Sequence, residues 1–360
     1  MEGYDHLVRM YELHPIGAPK RPEFNEILKV LFTPDEANIT RFMNFTLKKD
    51  EQIANEAGIN INEVRLHLEN MANKFIIFTK QKKDGRYYCL LPLLPGIYEF
   101  PFMDGGGTPR HEKLASLWSK YYDNGLGASF GGSTLPLARV VSVERPIPIK
   151  IDVHPYEKVS WIINEAKYLS VGKCSCRVIH KQCDHSLETC LIFNDWGKFL
   201  SDRGICREIT KEEAMDILEK CEEEGLIHTT NNARQNIPYI CNCCTCCCLV
   251  LKGISRLKNP NAVARSGYMP KVDPDLCTGC ETCVDERCKV GAISVINGVA
   301  QIDETKCIGC GLCSSGCPEH AIEMVRRKDY SEPPPTGIDQ LRIIAEEKGV
   351  LDTLPELYVR

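Results

Sequence analysis

Twenty-one cysteines stand among the 360 residues, and their spacing is the first chemistry the chain offers. Eight fall between 277 and 317, four between 174 and 190, and six between 241 and 248; only Cys89, Cys206 and Cys221 lie apart. Thiolates are soft ligands that suit zinc and iron-sulfur centres. A disulfide scaffold would be short, would spread its cysteines along the chain, and would leave one thiol over from an odd count. The tight grouping therefore reads as metal ligation in a reducing compartment. The three outlying cysteines are expected to be structural.

The strongest pattern is an internal repeat. Val272-Asp273 with Cys277, Cys280 and Cys283 recurs thirty residues on as Ile302-Asp303 with Cys307, Cys310 and Cys313. The fourth member recurs as Cys288 and Cys317, and Ala292-Ile293 as Ala321-Ile322. Between the halves, Asn297-Gly298 predicts a tight hairpin. This resembles the bacterial two-cluster ferredoxin domain over about residues 270 to 327. Carried over position by position, the resemblance implies that Cys277, Cys280, Cys283 and Cys317 hold one 4Fe-4S cluster, and Cys307, Cys310, Cys313 and Cys288 the other. The first half departs from the pattern: Val284 to Arg287 separate Cys283 from Cys288 by four residues instead of three, and Lys289 stands where proline is usual. A lengthened loop alters the surroundings of the second cluster, and a cation beside it favours the reduced form.

The central cysteines are less regular. Cys174, Cys176, Cys183 and Cys190 supply four soft ligands in 17 residues, with His180 and His185 among them able to substitute. Cys241, Cys243, Cys244, Cys246, Cys247 and Cys248 place six thiols in eight residues. Neighbouring side chains diverge, so the six cannot all face one metal, and two or three are expected to be non-ligands acting as small hydrophobes. The expectation is that both runs pool around one or two further iron-sulfur clusters, with structural zinc as the alternative and free redox thiols after it. The wider pattern runs through Cys174-Ser175-Cys176-Arg177, Glu212-Glu213-Ala214, Gly225 to His228 and Ile240 to Cys244. It resembles iron-sulfur proteins of strict anaerobes that end in a two-cluster ferredoxin domain, over residues 150 to 327. That resemblance implies service to a flavin- or metal-containing partner oxidoreductase and names no substrate.

The elements that position these residues are marked by caps and periodicity. Thr33-Pro34-Asp35-Glu36 starts a helix, a second runs from Asp50 to Gly58, and a third from Ile61 through Met71. Phe75 to Thr79, the turn Lys82-Lys83-Asp84-Gly85 and Arg86 to Leu91 predict a hairpin. Three helices and a two-stranded wing resemble a winged helix-turn-helix over residues 30 to 100. Further on, a short helix over His111 to Tyr122, an extended run from Leu137 to Ile151, and a helix from near Pro155 deliver the chain to Cys174. Gly125 to Gly131 only approaches a dinucleotide loop, with its third glycine one place late. Thr210 to Glu224 carries a capping-box pattern and leads to a strand-like Leu226-Ile227-His228. Past Ser331-Glu332-Pro333-Pro334-Pro335, a stiff linker, Leu341, Ile344 and Ala345 mark one face of a short helix. The expected fold is α+β and multidomain: a winged helix over 1–104, a Gly/Pro-rich connector over 105–150 and a Cys-rich α+β domain over 151–265. A two-cluster ferredoxin-like domain follows over 266–328, then the linker and helix over 329–360.

Composition bounds the partners. A net charge of -5 and a pI near 6.0 give no general pull toward nucleic acid or anionic lipid. The third helix offers only Arg65 against Glu63 and Glu69, so DNA is disfavoured as its partner. No signal segment or apolar span is legible, which predicts a cytoplasmic protein without a membrane span. No phosphate-binding loop or nucleophile triad appears, so no catalytic residue is assigned. The expected role is electron transfer to a partner oxidoreductase. An enzyme with a substrate-reducing central cluster, and a redox-sensing winged-helix regulator, are the alternatives.

Overall fold

Local chemistry sets the helix ends. The Thr33 hydroxyl accepts the Glu36 N–H while the Glu36 carboxylate accepts the Thr33 N–H, and Pro34 opens the helix Pro34–Ile39. Asp50–Ala57 and Ile61–Asn73 follow, and a hairpin of Ile77–Lys82 and Gly85–Leu90 takes Lys48–Lys49 along its second strand. The computed structural model describes residues 2–129, 132–145, 147 and 154–353. The expected extended run from Leu137 to Ile151 and the stretch Gly125 to Gly131 each fall partly outside the described residues.

Two helices that the sequence pattern did not announce precede these, Glu2–Leu13 and Pro22–Leu31. The second bears Pro at its start and buries Phe24, Ile27, Leu28 and Leu31, a helical spacing that could have been read directly. The helix expected over His111 to Tyr122 spans Pro109–Tyr121, and Thr210 caps Lys211–Glu223 by accepting the Glu213 N–H.

Six antiparallel strands form the central sheet, in spatial order Ala138–Val140, Ile227–Asn231, Tyr239–Cys243, Glu188–Phe193, Leu169–Lys173 and Arg207–Glu208. Its period of two divides the side chains. Leu191 and Phe193 face the helices Val159–Glu165 and Lys211–Glu223, whereas Cys190 and Ile192 face the opposite core. That opposite core is continuous with the N-terminal helices, running from Leu7 through Trp118 to Phe199, Cys206 and Leu249. The seam is the helix Asn194–Asp202. Trp196 stacks on Phe78 at 5.3 Å, and Phe199 meets Phe78 and Phe75 edge-on at 5.1 and 6.2 Å.

The C-terminal region is two antiparallel pairs, Tyr268–Val272 with Ile322–Arg326 and Ile293–Ile296 with Val299–Ile302. Asn297 and Gly298, at φ 53° and 79°, make the two-residue turn that requires positive φ twice. The region is bonded to the chain just past the strand Ala138–Val140, where the Val143 N–H donates to the Cys310 carbonyl at 2.9 Å. Beyond the proline run, the helix Gly337–Lys348 folds back onto its own chain. Lys348 donates to the carbonyls of Pro15 and Ile16, Gln340 to those of Pro136 and Leu137, and Ile344 and Ala345 are buried.

Because the first hundred residues share one interior with the central sheet, they are expected to unfold with it. Phe199→Ala is predicted to cost about 3–5 kcal/mol and to move tryptophan fluorescence and far-ultraviolet dichroism to the same lower denaturant midpoint. Two separate transitions, only one of them shifted, would contradict a shared core.

Candidate metal centres

The eight C-terminal cysteines fall into two groups of four, each lining its own cavity. Cys277, Cys280, Cys283 and Cys317 line one, with Val295, Ala300 and Pro318; Cys288, Cys307, Cys310 and Cys313 line the other, with Ile227, Arg287 and Lys289. The turns that carry them need glycine. At Gly309, with φ 73°, a Cβ would sit 2.2 Å from the Tyr268 carbonyl oxygen, and at Gly279, with φ 67°, 2.6 Å from that of Gly298. Backbone donors aim at the sulfurs: the Ala292 N–H at Cys288, Ala321 at Cys317 and Ala300 at Cys277, at 3.1, 3.3 and 3.4 Å. The first two are equivalent places of the internal repeat. Sulfur acceptors with amide donors around an apolar-lined cavity fit a 4Fe-4S group in each place.

The extra residue between Cys283 and Cys288 has a definite use. Cys283–Arg287 forms a wide turn closed by the Cys288 N–H on the Cys283 carbonyl, and it throws Arg287 outward. The Arg287 guanidinium donates to the carbonyls of Glu222 and Glu223, at the end of Lys211–Glu223, and to that of Leu312. A cation thus meets the last carbonyls of a helix C-terminus and ties the C-terminal region to the central one.

All ten central cysteines gather at one end of the sheet, in two separate sets. In the first, Cys174 contacts Cys176 and Cys190, Cys190 contacts Cys241, Cys241 contacts Cys243, Cys243 contacts Cys248, and Cys248 contacts Cys176: a closed ring of six thiols. The register that sets Cys190 opposite Cys241, and the alternation that puts Cys241 and Cys243 on one face, build half of it. Cys174 and Cys248, each at the start of a short helix, close it. In the second set the sulfurs of Cys183, Cys244, Cys246 and Cys247 all lie within 4.8 Å of one another.

The six cysteines of 241–248 therefore divide three and three between the sets, and four of them also pack as small apolar side chains, Cys243 and Cys248 with Val140, Ile308 and Leu312, Cys244 and Cys247 with Cys221 and Leu226. The reason is the turn after Cys243, which reverses the chain and exposes a second direction to the intervening residues. Neither histidine enters a thiol set. His180 is bonded by Tyr98 Oη, Ser119 Oγ and Lys252 Nζ, and His185 faces Glu224 at 3.4 Å. Cys89, Cys206 and Cys221 are buried thiols that desolvation pushes up to about 12.

Between the two sets lies Arg177, 2% exposed. It donates to the carbonyls of Ser186 and Asn242 and to the Thr189 hydroxyl, while its Nε is buried without a partner. A buried guanidinium needs nearby negative charge, and Cys174, Cys244, Cys243 and Cys190 surround it. The hydrogen bonds from Cys176 and Cys190, with the Arg177 charge added, hold Cys174 well below the usual thiol range. Cys247 and Arg177 bring Cys244 to about 4, and Cys190 and Cys243 bring Cys241 to about 6. Asn242, between two ring cysteines, points the other way, bonding His228 Nδ1 at 2.5 Å and donating to the Thr189 carbonyl. Around the ring stand Tyr98, Tyr239, Lys252 and the half-buried Glu99, whose carboxyl desolvation pushes up to about 8. In the sequence Arg177 stands out only as the last member of Cys-Ser-Cys-Arg, without a role, and nothing local marks Glu99 or Lys252.

Comparison with known proteins bears on the C-terminal region. A 4Fe-4S binding domain matches residues 300–323, which indicates at least one 4Fe-4S cluster. One component of an ion-translocating oxidoreductase complex from Methanosarcina acetivorans is 46% identical over 48 residues, 13% of this chain and 18% of that protein. Dihydromethanopterin reductase (acceptor) from Methanosarcina mazei is 50% identical over 54 residues, 14% of this chain and 23% of that protein. The pyruvate synthase component PorD from Methanothermobacter marburgensis is 38% identical over 61 residues, 17% of this chain and 70% of that protein. The chain thus spans about a fifth of the length of the first two relatives and most of the third. No solved structure matches it. Among the described residues no helix is long and apolar enough to cross a membrane. With cysteine quartets framed by a repeated fold and PorD matched over most of its length, the chain belongs to the ferredoxin-type proteins that carry a 4Fe-4S binding domain.

Proposed function

We propose that the chain is an electron-transfer protein or subunit that relays low-potential electrons between a donor and a partner oxidoreductase, flavin- or metal-containing. One residue carries the reading. Ile227 lines the cavity of Cys288, Cys307, Cys310 and Cys313, and in the sheet it is the register partner of Cys243, a member of the six-thiol ring. The C-terminal thiols and the central thiols therefore share a wall, and Val140, Cys248, Ile308 and Leu312 pack into the same apolar cluster. A 4Fe-4S group at each C-terminal quartet supplies one-electron transfer with little change in geometry. The ring, with Arg177 beside it, is the place for a further iron-sulfur centre.

The chain's own residues tune that relay. Amide donors on Cys277, Cys288 and Cys317 stabilise added negative charge, and Arg287 and Lys289 add positive charge at one cavity only. At the other, Cys280 is exposed and Leu276 and Ile296 are bare to solvent nearby, a suitable face for exchange with a donor.

In this reading the unit boundaries are those of the sequence analysis, with the first unit and the Cys-rich unit packed on one core, residues 30 to 100 form a winged helix used for docking, and the protein works in the cytoplasm. Two of the wing's four cations are engaged within the chain, Lys80 with Asp195 and Arg86 with Glu69, and Arg65 of the third helix pairs with Asp50. That favours docking over transcription control. A second reading, substrate reduction at the ring, is supported by the proton-carrying groups that border it, buried Tyr98 and half-buried Glu99 and Tyr239.

Purified without oxygen, the chain is expected to hold about eight irons at the C-terminal quartets, to be reduced by a low-potential donor, and to pass electrons to an artificial acceptor. Cys310→Ala should slow that transfer by more than about tenfold; an unchanged rate would contradict a relay through this quartet. Lys289→Gln is predicted to make one cluster's reduction potential more negative, read by potential-poised EPR, with the other cluster unmoved. An unaltered or more positive potential would show that the cation does not act on it.

A further inference from the structure

The ten central thiols are not interchangeable ligands, and sulfur spacing separates the two sets. Cys183 and Cys244 are 3.7 Å apart, Cys183 and Cys247 3.8 Å, and Cys246 and Cys247 3.8 Å. An ion bound tetrahedrally through metal–sulfur bonds of about 2.3 Å keeps its four sulfurs about 3.8 Å from one another. A 4Fe-4S cubane places its cysteine sulfurs outside the cluster's corners, about 6 Å apart. The chain supplies its own contrast. Among the described residues no other three His, Cys, Asp or Glu side chains bring their ligand atoms within 4.8 Å of one another, and the C-terminal quartets accordingly do not.

From this spacing we propose that Cys183, Cys244, Cys246 and Cys247 bind a single tetrahedral metal ion, zinc or iron, and not a cluster. The set is closed: four sulfurs and no histidine or carboxylate among them, the pattern of a site without an open position for substrate. Backbone donors orient the ligands, the Cys247 N–H on Cys244 and the Gln182 N–H on Cys247, and Cys221 and Leu226 pack around them. The ion joins the loop at Cys183 to the turn at 244–247. That turn is flanked directly by Cys243 and Cys248, both in the ring, so the ion fixes the geometry of the ring without belonging to it. The proposal stands whether or not the ring holds a cluster.

The test is a count of metal per chain in full-length protein purified without oxygen, wild type against Cys183→Ser, with iron and zinc measured together. The expected result is the loss of one zinc or one iron, which also identifies the ion, with the EPR signals of the C-terminal clusters unchanged. Loss of about four irons together with a cluster signal, or no loss of metal, would overturn the proposal. Should Cys183→Ser not fold, Cys183→His decides, since a nitrogen donor completes a tetrahedral single-ion site. One ion retained supports the assignment, and loss of a set of about four irons overturns it.

Discussion

The pairing of Glu188–Phe193 with Tyr239–Cys243 is the contact on which the rest of the molecule turns. In that register Cys190 faces Cys241, and one strand further over Ile227 faces Cys243. A slip of one residue would send every one of these side chains to the opposite face, into the helices Val159–Glu165 and Lys211–Glu223. Register is thus what keeps thiols on the side of the sheet that meets the other cysteine run and the C-terminal region. The remaining strands and the shared N-terminal core serve to hold that register under an apolar cover.

Eighteen clustered thiols present a problem of separation. Thiolates held close repel, and each set must be insulated from the next. The chain solves it by direction. Alternation in Tyr239–Cys243 gives one direction, the turn at 244–247 gives a second, and the C-terminal repeat gives two more, each with its own cavity. Arg177 sits between the central sets and compensates charge on both. Arg287 plays the mechanical part between the central and C-terminal regions, where an inserted residue lets it reach the end of a helix.

The eight C-terminal cysteines were legible as a group because a repeat marks them all, while their division into the two quartets that line separate cavities followed from the resemblance to the two-cluster ferredoxin domain. The hairpin at Asn297-Gly298 and the caps at Thr33 and Thr210 were legible for the same reason, being decided by a few adjacent residues. The central sets were not. Cys183 joins Cys244, Cys246 and Cys247 only after the intervening chain has folded, and no spacing rule links residues that far apart. The helices Glu2–Leu13 and Pro22–Leu31 carried a readable apolar stripe, but their role, burying one face against the same core as Phe199, is a tertiary fact. The hairpin over Ile77–Leu90 is attached through Phe78 and Lys80 to the helix Asn194–Asp202, a long-range contact that no local residue pattern announces.

In the proposed relay the C-terminal and central thiols form one electron path joined at Ile227 and Cys243. EPR of the fully reduced protein tests it most directly, through magnetic coupling between centres. A single path predicts a signal broadened by interaction between the centre at Cys288, Cys307, Cys310 and Cys313 and a further centre at the six-thiol ring. That broadening should disappear when Cys243 and Cys248 are replaced. A wild-type spectrum already accounted for by the two C-terminal clusters alone, and unchanged by those replacements, would contradict it.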